Sequence, residues 1–405
     1  MDLAAALAIG TGDITAGTSI DAASTTGALT LGALTATSGS VNLSGAQAIS
    51  TGNVKAGASI DVVSVNGILT LGALDAATSV DLSGTKAIGT GKIDAGTTVD
   101  IETAGAVTTG AITATDALTI GGIAPAQSVG IGGNVSAAAV TIDTTGALIA
   151  KDITSTAGAI GLDAASIKTH KLDAATDAGL TAGGEIRTRD IVAGGSIAAT
   201  SGGALSTDAL DAGAGVDLVA STSIRTGAIN AVDAVNLTAG TTIHTRGIDT
   251  EGALTATAAF VTFEDEVSAS DVTVQATERL ISTGITAETG AIDIAANRVI
   301  AGALSAGTSV SIAAVNNVQT DAIEAGGFID VASTGGALNL AALTAGDRVA
   351  LAAANAIRTG DIAATGAGAT VDIETAGTVT TGAIVSDQAL TIGAVAPAKS
   401  VTIQG

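Results

Sequence analysis

Apolar residues recur along this chain at a step of 19: Leu148, Ile167, Ile186, Leu205, Ile224 and Ile243 follow one another without slippage. Five positions after each stands another apolar residue, Ile153, Leu172, Ile191, Leu210, Ile229 and Ile248. The same phase runs upstream through Ile9, Leu29, Ile49, Leu69, Ile88 and Val107, and downstream through Leu280, Val299, Val318, Leu338, Ile357 and Val379. A third apolar anchor falls about eleven positions after the first, at Ile20, Ile60, Val80, Val99, Leu118, Ile197, Val216 and Val235. Around the anchors apolar and polar residues alternate, as in Val99-Asp100-Ile101 and Ser40-Val41-Asn42-Leu43. Alternation with period two describes a strand with one buried face, not a helix. Gly and small polar residues fill the intervals, where tight corners are needed.

A fixed step of this size is the mark of one unit stacked on itself. The pattern predicts an all-β fold, a parallel β-helix of about 20 coils of 19–20 residues with three short strands per coil. It predicts one continuous rod over residues 1–405, and the unequal spacing of the anchors fits a right-handed coil. Two residues after the first anchor a file of Thr (Thr51, Thr109, Thr169, Thr188, Thr226, Thr245, Thr320) falls on the inward side. There its methyls pack and its hydroxyls bond along the stack or to corner backbone.

A longer period overlies the short one. Residues 98–133 recur at 370–405 with 26 of 36 positions identical, and the wider match joins 60–133 to 329–405 as a block of about 14 coils. Both prolines, Pro125 and Pro397, lie at equivalent places where the step stretches to 22 or 23. Proline donates nothing to a ladder, so a bulged coil is expected there.

Composition narrows the function. The chain has no Cys, Tyr or Trp and only three Phe, so the core is narrow and aliphatic. Cysteine chemistry is excluded, and aromatic platforms of the kind that polysaccharide enzymes add to β-helices are missing; no catalysis is expected. The net charge of −23 argues against nucleic acid as a partner. No apolar run has the roughly 18–20 residues of a membrane helix, so no membrane insertion is expected. Met1-Asp2-Leu3-Ala4 lacks the basic start of a secretory signal, and the chain reads as a fragment without its leader.

Two files of charge are candidate sites. Asp21, Asp61, Asp81 and Asp100, with Asn42 among them, stand one position after the third anchor on successive coils. Stacked carboxylates repel, and calcium is the cofactor that would relieve them, although a single file supplies few of the six to eight oxygens it takes. Lys168, Arg187, Arg225 and His244 share the slot after the first anchor, with Arg189 and Arg246 close by. This basic stripe could take the sulfate or carboxylate of a host or matrix glycan. Asp173, Glu185, Asp190 and Asp208 partly cancel it.

Stretches such as Gly27-Ala28-Leu29-Thr30-Leu31 and Gly67-Ile68-Leu69-Thr70-Leu71, in coils of about 19 residues without Cys, resemble the filamentous-haemagglutinin type of β-helix. The resemblance covers essentially the whole chain as a pattern and transfers no functional residue. It implies a large bacterial exoprotein, exported by two-partner secretion, acting at the cell surface or outside the cell as an adhesin or stalk. The expected function is a structural stalk segment whose partners are further coils or end-to-end copies of the same protein. A glycan-binding module and a self-assembling filament or surface-layer component are the alternatives.

Overall fold

The computed structural model describes residues 1–395 and 397–404; Ala396 and Gly405, both within the second copy of the long repeat, lie outside the described residues. The chain is all-β, with no helix among the described residues, and winds as a parallel β-solenoid of about 21 turns. It divides into two compact units, Met1–Thr207 and Asp208–Gly405.

In the first unit a typical coil consists of the strands Ile9–Gly10, Ile14–Ala16 and Ile20–Ser24. Each strand pairs in parallel with its equivalent one coil on. The first-anchor file runs Ile9, Leu29, Ile49, Leu69, Ile88, Val107, Val129, Leu148, Ile167, Ile186, Leu205 in unbroken register. A second file joins Ile14, Leu34, Val54, Leu74, Ile93 and Ile112. A third joins Ile20, Val41, Ile60, Val80, Val99 and Leu118. Apart from Ile9 at the first coil, these residues are buried. Every fully buried Val, Leu or Ile stabilises the fold by about 1.5–3 kcal/mol against leaving it in water. Facing columns of Ala36, Ala56, Ala76 and Ala95 keep the interior narrow, which is why branched aliphatics fill it without aromatic help.

The second unit keeps the same order, its first file running Ile224, Ile243, Val261, Leu280, Val299, Val318, Leu338, Ile357, Val379. One expectation needs correction here: not every coil has three short strands. Leu254–Phe263, Val272–Ala287 and Ile292–Ala306 run 10, 16 and 15 residues through their corners. The corners after Ala258, Ala276 and Ala296 contain no Gly, and the chain bends there by shifts of register instead. A bulge of this kind turns a strand without ending it.

The Thr file points inward as its phase requires. Thr51, Thr109, Thr188 and Thr226 are buried, and each hydroxyl donates to the carbonyl of the next residue at the corner, over 2.9–3.2 Å. Thr169, Thr245 and Thr320 differ: they are buried and their hydroxyls have no partner. Thr245 lies in register with Phe263, the one buried Phe. A buried hydroxyl without a partner costs about 1–3 kcal/mol, and an apolar residue of the same shape removes that cost. Thr245→Val should therefore raise unfolding free energy by about 1 kcal/mol in urea titration. Thr226→Val, which breaks a made bond, should not.

Candidate functional site

The acidic file is real and continuous. Asp2, Asp21, Asn42, Asp61, Asp81, Asp100 and Thr119 are consecutive partners across parallel strands. Asn42 Nδ2 donates to Asp21 Oδ1 at 2.5 Å, so the amide breaks the run of charge. Ser79 Oγ donates to Asp81 at 2.8 Å. Beyond Asn42 three carboxylates stand in succession. Partial burial, and after it the Asp81 charge, hold the Asp61 carboxyl above its ordinary pKa. For Asp100 partial burial again leads, followed by Glu102 and Asp81, and the shift is also upward. The same physics acts where Asp143 lies in register with Asp163: desolvation first, then the neighbour's charge, raises Asp143.

A single file does not surround an ion. Among the described residues no three His, Cys, Asp or Glu side chains gather to hold a metal.

The pKa directions carry a testable consequence. A carboxyl whose folded-state pKa lies above its unfolded value binds its proton more tightly when folded. Folding is then favoured as pH falls through the folded values, and the gain is complete below the unfolded value. Stability should thus rise between pH 7 and about pH 4. Asp81→Asn removes the charge shared by both neighbours, each about 4.8 Å away, where a unit pair repels by roughly 0.9 kcal/mol in water before salt screening. The variant should be more stable at pH 7 by about 0.5–1 kcal/mol, with a flatter dependence on pH. Urea midpoints across the pH range decide this; equal slopes in the two proteins would contradict it.

The basic residues are distributed between the units. In the first, Lys168 and Arg187 are register partners, and Ser206 follows Arg187. Arg187 is bound to Glu185 through both Nε and Nη2, at 3.0 and 2.7 Å. Arg189 is anchored by its backbone N–H, which donates to the His170 carbonyl. In the second unit Arg225 pairs in register with His244, and the Arg246 N–H donates to the Gly227 carbonyl. His244 Nε2 meets Glu264 at 2.8 Å. Lys171 is paired with Asp173 at 3.0 Å. Glu185 and Asp173 thus reduce the stripe as their positions suggest, and Glu264 adds a neutralising partner that sequence reasoning did not connect to His244. Glu264 follows His244 by 20 residues, so the 19-residue step would have pointed to Phe263 instead.

Two devices were not visible in the pattern. One is a corner clip. Buried Ser24, Ser64, Ser201 and Ser333 each donate to a carbonyl 17 residues back, Leu7, Gln47, Gly184 and Asn316, at 2.6–2.8 Å. Each hydroxyl also accepts the N–H of the glycine two or three residues ahead, at 2.9–3.2 Å. A single hydroxyl so satisfies two backbone groups of a buried corner. The other device is a tether. The Glu102 carboxylate accepts the N–H groups of Ile123 and Ala124 at the proline loop. Glu374 does the same for Ala394 and Val395 in the second copy. Gly121 and Gly393 open the two loops with positive φ of 76° and 72°. Ile123 and Val395, 90% and 89% exposed, project at their tips.

No family model matches the chain, and neither a curated protein nor a solved structure matches it.

Proposed function

We propose that the chain is a structural stalk segment of a large bacterial exoprotein of the filamentous-haemagglutinin type, displayed at the cell surface or released from it, and that it carries out no catalysis. The observation that supports this reading is the unbroken register of its backbone ladders. From Ile9 to Leu205 the first file passes through eleven coils, and the proline loop lengthens one coil without interrupting it. Parallel ladders advance about 4.8 Å per coil, so such a segment gains reach by repetition at constant cross-section. An enzyme would instead invest residues in long loops around a cleft, and the corners of the regular coils are short. In this role the partners are further coils of the same kind, in one chain or between copies, and neither nucleic acid nor a bilayer is engaged.

Antibodies raised against the chain should label intact cells of its source and the culture medium, and brief protease treatment of intact cells should remove the cell-bound signal. Label that appears only after lysis, alongside a cytosolic marker, would end the proposal.

A further inference from the structure

We propose that a cleft in the second unit, walled by Phe260, Arg279 and Arg298, binds an acidic saccharide and takes its carboxylate or sulfate between the two guanidinium groups. The inference stands apart from the stalk reading: a stalk needs no such cleft, and an enzyme could also have one.

Phe260, Arg279 and Arg298 occupy the same register position on three successive coils. The middle coil carries one residue more at this corner than its neighbours, between Ala276 and Arg279. Beside this bulge lies a concavity of about 490 Å³, lined by Phe260, Glu278, Arg279, Asn297 and Arg298. That volume lies within the roughly 300–1,000 Å³ of small-ligand sites. The Arg279 guanidinium lies over the Phe260 ring, 6.0 Å from its centroid, a contact that positions the side chain.

Neither Arg279 nor Arg298 forms an ion pair with any described residue. Arg279 and Arg298 are register partners on neighbouring coils and carry like charge, and an oxyanion held by both would offset their repulsion while matching their planar donors. Polar groups suited to sugar hydroxyls lie beside them: Asn316 Nδ2 donates to Asn297 Oδ1 at 2.6 Å, and both amides line the cleft. Glu278 is on the same wall. Its charge favours a ligand with one acidic group per ring over a densely sulfated polymer.

Isothermal titration of the full chain with trigalacturonic acid, a chondroitin sulfate tetrasaccharide and maltotriose tests this. At least one acidic sugar should bind one per chain, and maltotriose should not. Affinity should fall about fivefold or more between about 50 and 300 mM NaCl. Binding of trigalacturonic acid alone identifies a carboxylate ligand, of the chondroitin sugar alone a sulfate, and of both an oxyanion on either. Arg279→Gln/Arg298→Gln should weaken binding about tenfold or more, and Phe260→Leu about threefold, while Lys55→Gln, at an exposed cation of the first unit already paired with Asp75, leaves it unchanged. If circular dichroism shows the Gln pair misfolded, Arg279→Lys/Arg298→Lys replaces it and should still lose several-fold, because lysine lacks the planar fork. No binding of either acidic sugar at millimolar concentration, equal binding of maltotriose, or full affinity in the folded double variant would overturn the proposal.

Discussion

Ile167→Ala is expected to lower the unfolding free energy of the first unit by about 3–4 kcal/mol. Ile167 is 1% exposed and lies in the first file between Leu148 and Ile186, its register partners on the coils before and after. Truncation to Ala removes three carbons from a column where backbone ladders hold the neighbouring coils at fixed spacing. Collapse into the gap is therefore limited, and limited relaxation is what places a cavity variant high in the range for buried aliphatics. Stacked repeats touch only their neighbours, so the damage should also be local. Hydrogen exchange should accelerate for amides in the coils from Leu148 to Leu205 and change little around Ile9 to Ile49. Uniform acceleration through the unit would mean that it unfolds as a single block. An unchanged urea midpoint would mean that Ile167 is not packed as described.

Gly67→Ala should cost about 2–4 kcal/mol, an effect comparable to emptying the core although it adds only one methyl group. Gly67 ends the corner before Leu69, where the Ser64 hydroxyl accepts its N–H at 3.0 Å. A Cβ at this position would overlap the backbone of Ala48 and Gln47 on the preceding coil. Its φ is ordinary, so the requirement is for space alone. Backbone cannot swing aside as a side chain can, and the two coils must separate where their ladder should close. Gly161 is the matched control. It sits within the strand Ile160–Ala164, and its nearest neighbour, the Val140 carbonyl oxygen, lies at ordinary contact distance, 4.0 Å. Gly161→Ala should be neutral or stabilise by up to about 1 kcal/mol, through reduced freedom of the unfolded chain. Equal effects at the two positions in denaturant titrations would refute the role given to close approach of coils.

The Phe260 cleft shows what the pattern could and could not disclose. Phe260, Arg279 and Arg298 are spaced by 19 residues each, so their alignment was available from the same step that located the anchors. They lie outside the denser group of basic residues at 168–246 and form no file with it. The bulge between Ala276 and Arg279, beside the cleft, follows from an insertion of one residue and leaves no local mark in sequence. The calcium expectation met a related limit. Spacing correctly placed Asp21, Asp61, Asp81 and Asp100 in one line, but a line of equivalent positions is not a coordination shell.

By itself the sequence determined the class of fold, its coil length, the membership of the three aliphatic files and the inward direction of the Thr column. These follow from periodicity, because a strand's faces alternate strictly and identical coils must stack like on like. Only the tertiary structure decided which glycines lie under a neighbouring coil and which serine hydroxyls clip a corner. It also decided which cations meet a carboxylate, as Lys171 and Arg187 do, and which, Arg279 and Arg298 among them, do not. Those outcomes depend on separations of a few ångströms between coils, distances that one-residue changes in corner length alter while the repeat continues unchanged.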